Sequence, residues 1–404
     1  MRDVRALLLG AFVLGLAVSI TLAETALALL ALRWAWRLWT GRARRSWPLA
    51  VPLAAWIAAS LLAAALSPQP LASLLAARSV LLIATFYVLL DALVDPADAD
   101  RWLSWLLALM AGVAVIGVLQ VALCPFLAPL GPVLGRVAAK CHRAHAFYSI
   151  YMTLAGVLSL VLLAVLPRVL PGGGSVGVRW HLVAWLAGGA GLALTYVRGA
   201  WVGLLAGVAV LLGLLQRGRL LLIAGVVLLA LAVLLVPDLR RRVESIADPM
   251  DPTARERWAM WGSALAMARD HPLLGVGPGG VKREYPQYAA LEFRAKRRGH
   301  VHNTPLQVLV ERGILGLAAW TSVFLAFFWR AARVLRRLPG QAGRPRDLVT
   351  GSMAAIAGFL VGGLTEYNFG DSEVALVAYA MMALPFVVER AVGEGGGTVP
   401  LSRH

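Results

Sequence analysis

The chain has 404 residues, of which 60% are hydrophobic and 15% are charged, and its formal net charge is +17. A soluble protein of this length would not carry so much apolar surface, and uncharged runs of about 17–22 residues are typical of membrane-spanning helices. The basic residues stand mainly at the ends of these runs, which favours orientation signals and contact with membrane lipids over nucleic acid binding. We therefore expect an all-α polytopic membrane protein, with residues 1–404 forming a single integral membrane domain.

About twelve apolar runs are predicted to be membrane spans. They are 6–18, 20–36, 49–66, 74–94, 103–122, 146–166, 180–197, 200–215, 220–236, 314–334, 350–368 and 374–390. The stretch 6–36 is too long for one helix across a bilayer core of about 30 Å. Polar residues at Ser19, Thr21 and Glu24 indicate a break in its middle.

Arginines mark alternate connectors between the runs, and the acidic connector 95–101 is a weak exception. By the positive-inside bias, the arginine-bearing side is cytoplasmic, and twelve spans place both termini there. The opposite side then receives the long polar segment 237–312, between spans nine and ten. We expect this segment to be a large helical periplasmic loop.

Two cysteines, Cys124 and Cys141, fall in one predicted external connector. A disulfide is favoured if that compartment is oxidising. Two unpaired thiols near the membrane surface are an equally good interpretation, because the spacing does not fix the geometry.

The long loop contains recognisable helix signals. Asp251 and Pro252 suit the N-cap and first position of a helix over 252–270. The glycines and prolines of HPLLGVGPGG (271–280) end it. A second helical stretch is predicted over 281–298, and Thr304-Pro305 predicts another N-cap and first helical position, from which a helix runs into span ten.

Arg198 stands between spans seven and eight. Such an arginine is often an interfacial anchor whose guanidinium reaches the headgroups. The alternative is a phosphate ligand, since a guanidinium binds two phosphate oxygens at once. Tyr196 and Gly199 flank it, and a glycine lets a phosphate approach the backbone.

Arg255 and Arg257 open the 252–270 helix and point about 200° apart, so only one is expected to face a common site. Arg257 lies one turn before Trp261, and we prefer it. A solvated basic face is the competing interpretation. Trp258 and Trp261 are interpreted as packing or interface residues rather than sugar ligands.

His300 and His302 form an H-x-H pattern. A metal site is conceivable, with carboxylates such as Glu366 completing it, but nothing imposes ligand spacing. The preferred hypothesis makes His302 a general base near a helix N-terminus, where the helix dipole favours anions and disfavours an imidazolium. Asn303 is expected to orient its neighbours.

The segment EYNFGDSE (366–373) brings three carboxylates close to the depth of the membrane. Charged groups at that depth need partners, and the arginines of the loop are the natural ones. A structural ion pair is a slightly better interpretation of Glu366 than a catalytic role.

Taken in order, four motifs resemble the O-antigen ligase and polymerase superfamily of bacterial envelopes. They are RGAW (198–201), R-x-x-x-W (257–261), HPLLGVGPG (271–279) and HN-x-x-L-Q-x-x-x-E-x-G-I-L-G (302–316). The EYNFGDSE segment resembles that family's C-terminal signature. The match covers about 190–375 in motifs and the whole chain in its arrangement of spans.

The resemblance implies an inverting, metal-independent membrane glycosyltransferase of the GT-C type in the bacterial inner membrane. It implies a donor glycan on undecaprenyl diphosphate and an acceptor hydroxyl on lipid A–core at the periplasmic face, and no cofactor. His302 would activate the acceptor, while Arg198 and Arg257 would bind the diphosphate, with Arg255 a weaker candidate. Asn303, Glu366 and Tyr196 would support them.

Other functions stay open. An O-antigen polymerase and a protein O-oligosaccharyltransferase belong to the same superfamily. A single large loop and a chain that ends soon after span twelve favour the ligase. A lipid or anion transporter would need charged residues deep in several spans, and the spans are almost free of them.

Overall fold

The computed structural model describes residues 2–43, 46–127, 140–170, 178–215, 219–220, 223, 225–227, 240, 252–290, 299–339 and 343–394. Within these residues the regular secondary structure is helical. The α-helices are α1 (Arg2–Val18), α2 (Ile20–Trp39), α3 (Ala50–Ala65), α4 (Pro70–Ala77), α5 (Ala84–Ala92), α6 (Pro96–Ala122), α7 (Cys124–Leu127), α8 (Tyr151–Val169), α9 (Val178–Leu194), α10 (Arg198–Leu214), α11 (Pro252–Asp270), α12 (Val281–Tyr288), α13 (Thr304–Arg337), α14 (Arg344–Gly362) and α15 (Ser372–Glu394). Short 3₁₀ helices cover Arg78–Ile83 and Asn368–Gly370.

Five described helical segments are long and apolar enough to cross a membrane. They are Pro70–Ala92, Pro96–Ala122, Tyr151–Val169, Thr304–Arg337 and Ser372–Gly393. Shorter apolar helices cover Val4–Val18, Ala50–Ala65 and Arg198–Leu214. The expectation of a helical, polytopic membrane protein is therefore confirmed, and the number of twelve spans stays a prediction.

Every predicted apolar run overlaps a described helix except 220–236, which falls largely outside the described residues. The predicted break within 6–36 lies at Ser19, whose backbone is extended between α1 and α2. The two helices then pack so closely that a side chain on Gly15 would collide with the backbone of Ala23. The eleventh run, 350–368, corresponds to a helix of the same length that lies six residues earlier, because α14 spans Arg344–Gly362 and the connector begins after Gly362 instead of at 369.

Glycines bring α10 and α14 into backbone contact. A Cβ atom on Gly203 would stand 2.5 Å from the carbonyl oxygen of Gly358, and one on Gly207 would stand 2.8 Å from that of Ala354. Small residues four apart let membrane helices approach in this way, and van der Waals packing then holds them. The contact fixes where α10 begins relative to the connector that follows α14.

Ion pairs gather at one end of the helix bundle, which we call the arginine-rich end. They join Arg5 to Asp98, Arg37 to Asp91, Arg168 to Asp100 and Arg330 to Glu389. These pairs connect the ends of neighbouring helices, and the arginines involved belong to the side predicted to be cytoplasmic. Which side faces the cytoplasm stays a prediction.

At the opposite end, which we call the site end, α11 and α12 pack on the start of α13. Met260, Ala264 and Met267 of α11 are buried in a separate apolar cluster with Tyr285 and Val310. Helix α11 has the predicted bounds, although Asp251, its predicted N-cap, lies outside the described residues. Helix α12 covers the first half of the predicted 281–298 stretch, and residues 291–298 lie outside the described ones.

A disulfide joins Cys124 and Cys141. The sequence left this pairing open, and the structure brings the end of α6 and the segment before α8 close enough to form it. The bridge lies at the site end, since the chain continues from Cys141 to the N-terminus of α8.

Candidate active site

His302 occupies the position just before the N-cap of α13. The N-cap is Asn303, whose side chain accepts a hydrogen bond from the Leu306 amide (2.9 Å). The prediction that Thr304 caps the helix was wrong by one residue, because Asn303 supplies the extended backbone and the side-chain acceptor. His302 is therefore closer to the helix N-terminus than the sequence indicated.

The backbone at His302 is left-handed, with φ of +50°. Tyr196, two residues before Arg198, has φ of +55°. Non-glycine residues rarely adopt this region, and they do so where the surrounding structure holds them. Both of these residues were predicted from the sequence to belong to the site.

Glu366 links two of the predicted site residues. Its Oε1 atom lies 2.6 Å from Arg257 Nη2, and its Oε2 atom lies 3.1 Å from His302 Nδ1. Burial alone would raise the pKa of Glu366, but the hydrogen bond with His302 and the positive charge of Arg257 outweigh it, so the pKa is lowered from its ordinary value. An ionised carboxylate therefore orients both groups.

The connector that carries Glu366 is fixed to the start of α13. The Thr304 amide donates to the carbonyl oxygen of Gly363 (2.6 Å), and the Thr304 hydroxyl donates to that of Glu366 (3.0 Å). The Asn303 amide group donates to the carbonyl oxygen of Leu364 (2.9 Å). Asn303 therefore has two contacts that support the site: it caps α13, and it holds the connector against the start of that helix.

Arg198 is the first residue of α10, and that helix end meets the same connector. A Cβ atom on Gly199 would stand 3.2 Å from Cγ of Glu366 and would collide with the Thr365 side chain. Only glycine permits this approach, which brings the backbone of α10 against Glu366 one residue after Arg198. Arg257 and His302 thus contact Glu366 directly, while Gly199, the residue after Arg198, brings the start of α10 against it.

The two arginines of α11 have different surroundings. Arg257 is half-buried at Glu366, whereas Arg255 is exposed on the stripe that also carries Trp258. Trp261 donates from Nε1 to the Val301 carbonyl oxygen (3.0 Å), which fixes α11 to the segment before His302. The structure therefore brings Arg257, and not Arg255, to Glu366.

Tyr196 packs near Trp201 (ring centroids 6.5 Å apart) at the start of α10.

Sequence reasoning did not assign roles to Gln307 and Glu311. Gln307 Oε1 accepts from the Val301 amide (2.9 Å), and Gln307 Nε2 donates to Glu311 Oε1 (2.9 Å). That carboxylate also accepts from the Gly279 amide (2.8 Å). The Q-x-x-x-E spacing places both side chains on one helix face and could have indicated such a relay.

Glu311 is itself paired with Arg312 (2.8 Å), whose Nε donates to Ser60 of α3 (3.1 Å). The relay thus connects the HVHN segment, the GVGPGG loop and α3. Through Gln307, this relay holds the segment that precedes His302 in place.

A cavity of about 260 Å³ lies beside Glu366, between α8, α10, α14 and α15. His300 lines it together with Glu366 and Tyr367, and the His300 ring centroid is 4.4 Å from that of His302. His300 therefore lies beside the preferred base and faces the cavity. Burial raises the pKa of Tyr367, so its hydroxyl stays protonated.

The fold and the site together define a class, which is a helical membrane protein with a histidine, a carboxylate and arginines gathered at one end of the bundle. Residues 182–321 match the model of a family described as O-antigen ligase. No curated protein matches the chain. This match supports the predicted resemblance, since residues 182–321 are similar to the O-antigen ligase family.

The matched region contains Arg198, Arg257 and His302 but ends before Glu366. Members of this family are glycosyltransferase-like enzymes that act in lipopolysaccharide and glycan biosynthesis. In general they use a lipid-linked glycan and a lipid acceptor. The apolar helices of the chain and its match to this family both favour a bacterial membrane protein.

Proposed function

We propose that this protein is an O-antigen ligase, which transfers a glycan from undecaprenyl diphosphate to a sugar hydroxyl of lipid A–core. The observation that carries the proposal is the shared carboxylate of Glu366, which holds His302 on one oxygen and Arg257 on the other. A base fixed next to a cation suits a displacement at the anomeric carbon. The base takes the proton of the acceptor hydroxyl, and the cation stabilises the negative charge of the departing diphosphate.

His302 is the proposed general base. With Glu366 ionised, Nδ1–H of His302 donates to Glu366 Oε2, which leaves Nε2 as the acceptor atom. As the acceptor oxygen attacks the anomeric carbon, its proton passes to Nε2. The helix dipole alone would disfavour an imidazolium at this position. In the proposed reaction the carboxylate of Glu366 opposes that effect, because it stabilises the imidazolium once it has formed.

Arg198 and Arg257 are the proposed ligands of the diphosphate. The new bond joins the acceptor oxygen to the anomeric carbon, while the bond from that carbon to the phosphate oxygen breaks. Its electron pair leaves with undecaprenyl diphosphate, so the configuration is inverted. The pair with Glu366 engages one of the five N–H donors of Arg257, and the guanidinium retains others for phosphate. No metal or cofactor takes part in the proposed reaction.

The proposed location is the bacterial inner membrane, with the site end at the periplasmic face and both termini cytoplasmic. The gathering of arginines at the opposite end of the bundle supports this orientation. We further propose that 237–312 acts as a periplasmic loop that covers the site.

The experiment that tests the reaction uses His302→Asn in reconstituted protein. Asparagine tolerates positive φ better than alanine does, so this variant removes the base while keeping the backbone. We expect transfer to fall by about 10²–10⁴-fold, the usual contribution of a general base. Retention of normal transfer by a correctly inserted His302→Asn protein contradicts the role of His302.

The same assay identifies which molecule accepts the glycan. Wild-type protein receives purified lipid-linked glycan together with lipid A–core, a peptide, or a second donor molecule. Glycosylation of lipid A–core is the expected outcome. Elongation of the donor indicates a polymerase, and a glycosylated peptide indicates a protein O-oligosaccharyltransferase. An arm with excess chelator tests the H-x-H metal hypothesis, and no loss of rate is expected there.

A further inference from the structure

We propose that the cavity beside Glu366 binds one neutral monosaccharide ring of a glycan substrate. The inference rests on the proposed function, because it assigns a sugar subsite to the same active site. The cavity has a volume of about 260 Å³, and His300, Glu366 and Tyr367 are among the residues that line it. This volume lies just below the range of about 300–1,000 Å³ that is typical of pockets for drug-sized ligands, which suits one sugar ring rather than an oligosaccharide.

The charge of the lining argues against phosphate. Two carboxylates, Glu366 and Asp371, line the cavity, and no arginine or lysine is among the described residues that do so. The proposed diphosphate ligands Arg198 and Arg257 are therefore absent from the described lining. A cavity with carboxylate acceptors and without cations favours a ligand that donates hydrogen bonds, which a sugar does through its hydroxyl groups.

The distribution of polar groups matches a sugar ring better than a prenyl chain. Thr153, Asn368 and Asp371 add a hydroxyl, an amide and a carboxylate on the side of α8 and α15. Ala200 of α10 and Val374 of α15 supply apolar wall. A pyranose has hydroxyl groups at its rim and apolar C–H faces, so it suits a lining of polar groups and apolar wall better than a prenyl chain, which offers no hydrogen-bond donor.

Residues of the wall also lie within reach of the reaction centre. Glu366 is a lining residue and contacts His302 directly (3.1 Å). Ala200 is the second residue after Arg198 on α10. A ring held here thus lies next to Glu366, the carboxylate that also contacts the proposed base, and close to the place where the donor's first sugar or the acceptor's terminal sugar reacts.

The test fills the cavity without touching the reactive groups. Ala200→Leu adds volume to the wall, and Val202→Leu, on the exposed face of the same helix, is the matched control. Asp371→Asn removes one charge while asparagine still serves as a good N-cap for α15. Binding to the purified full chain is measured with three probes: lipid-linked glycan, bare undecaprenyl diphosphate and lipid A–core.

We expect Ala200→Leu to weaken binding of one glycan-bearing probe at least about tenfold while bare undecaprenyl diphosphate binds within about twofold of wild type. Asp371→Asn should weaken the same probe less, and Val202→Leu should change nothing. The affected probe identifies the donor or the acceptor as the source of the ring.

Unchanged binding of both glycan-bearing probes by Ala200→Leu overturns the proposal. Weaker binding of bare undecaprenyl diphosphate also overturns it, because the prenyl chain then occupies the cavity. Since binding is measured without turnover, these outcomes are distinct from failure of the proposed function, in which wild-type protein binds the probes but transfers no glycan.

Discussion

Both ends of the helix bundle pair arginines with carboxylates, but the pairs differ in what surrounds them. At the arginine-rich end, Arg37 and Asp91 join the last turns of neighbouring helices, with nitrogen and oxygen 2.6 Å apart. At the site end, Glu366 is shared between Arg257 and His302 and lies beside a cavity of about 260 Å³. The same chemistry therefore serves to join helices at one end and to orient a titratable ring at the other.

The difference shows which features distinguish a candidate active site from a structural ion pair. The pair of Arg257 and Glu366 has the geometry of an ordinary structural ion pair. The sequence analysis slightly favoured this interpretation of Glu366 over a catalytic role. Its second contact, to a histidine with a left-handed backbone, has no counterpart among the ion pairs described at the arginine-rich end. Strain of this kind persists where surrounding structure enforces it, often at functional sites.

The first prediction compares one carboxylate from each end. Glu366→Gln keeps the shape of the side chain but removes the charge that orients His302, and we expect kcat to fall by about 10–100-fold, as when other orienting partners are removed. Glu389→Gln, which breaks the pair with Arg330, should leave transfer within about twofold of wild type. The measurement is the initial rate of glycan transfer by reconstituted protein.

Equal losses in the two variants would mean that Glu366 acts through the stability of the bundle alone. To separate this outcome from misfolding, the thermal midpoint of each variant is measured in the same detergent. A normal midpoint with a lowered kcat in Glu366→Gln supports the orienting role.

The second prediction concerns the two arginines of α11. Arg257→Gln removes a proposed diphosphate ligand, and we expect the KM for lipid-linked glycan to rise about tenfold, which corresponds to about 1.4 kcal/mol. Arg255→Gln is the matched control, because Arg255 is exposed two residues earlier on the same helix. A similar rise in both variants would indicate general attraction of the anionic donor rather than a specific contact.

Much of the framework was predictable because membrane helices leave a strong pattern in the sequence. The apolar runs identified the helices that the structure describes, and Pro252 and Thr304-Pro305 located the starts of α11 and α13 within one residue. Helix phase correctly separated Arg257 from Arg255 in position. Each of these inferences uses residues within a few positions of one another, where local physics decides the outcome.

The sequence predicted that the carboxylates of 366–373 pair with arginines of the loop, but it did not identify which residues pair, because these contacts join distant segments. Glu366 is 64 residues from His302 and 109 from Arg257, and nothing local distinguishes it from its neighbouring carboxylates. The approach of α10 to the connector depends on Gly199, which reads in the sequence as one glycine among many. The one-residue error at the N-cap has a local origin instead, since Asn303 and Thr304 are both suitable N-cap residues and it is Asn303 that accepts from the Leu306 amide.

The third prediction has the smallest expected effect and concerns acid. The pKa of Glu366 is lowered in the folded protein, despite burial that would raise it, because His302 and Arg257 favour the ionised form. A carboxyl of this kind stabilises the fold fully above the pKa of an unfolded glutamate, about 4.3. That contribution is lost as the pH falls through the lowered pKa of the folded state.

The thermal midpoint of wild-type protein should therefore exceed that of Glu366→Gln at neutral pH, and the difference should shrink only below about pH 4. Glu389→Gln serves as the control for carboxylates at the arginine-rich end. A difference between wild type and Glu366→Gln that already disappears near neutral pH would mean that Glu366 is protonated in the fold. His302 would then lack its charged partner, and the contrast between the two ends of the bundle would rest on the cavity and the strained backbone alone.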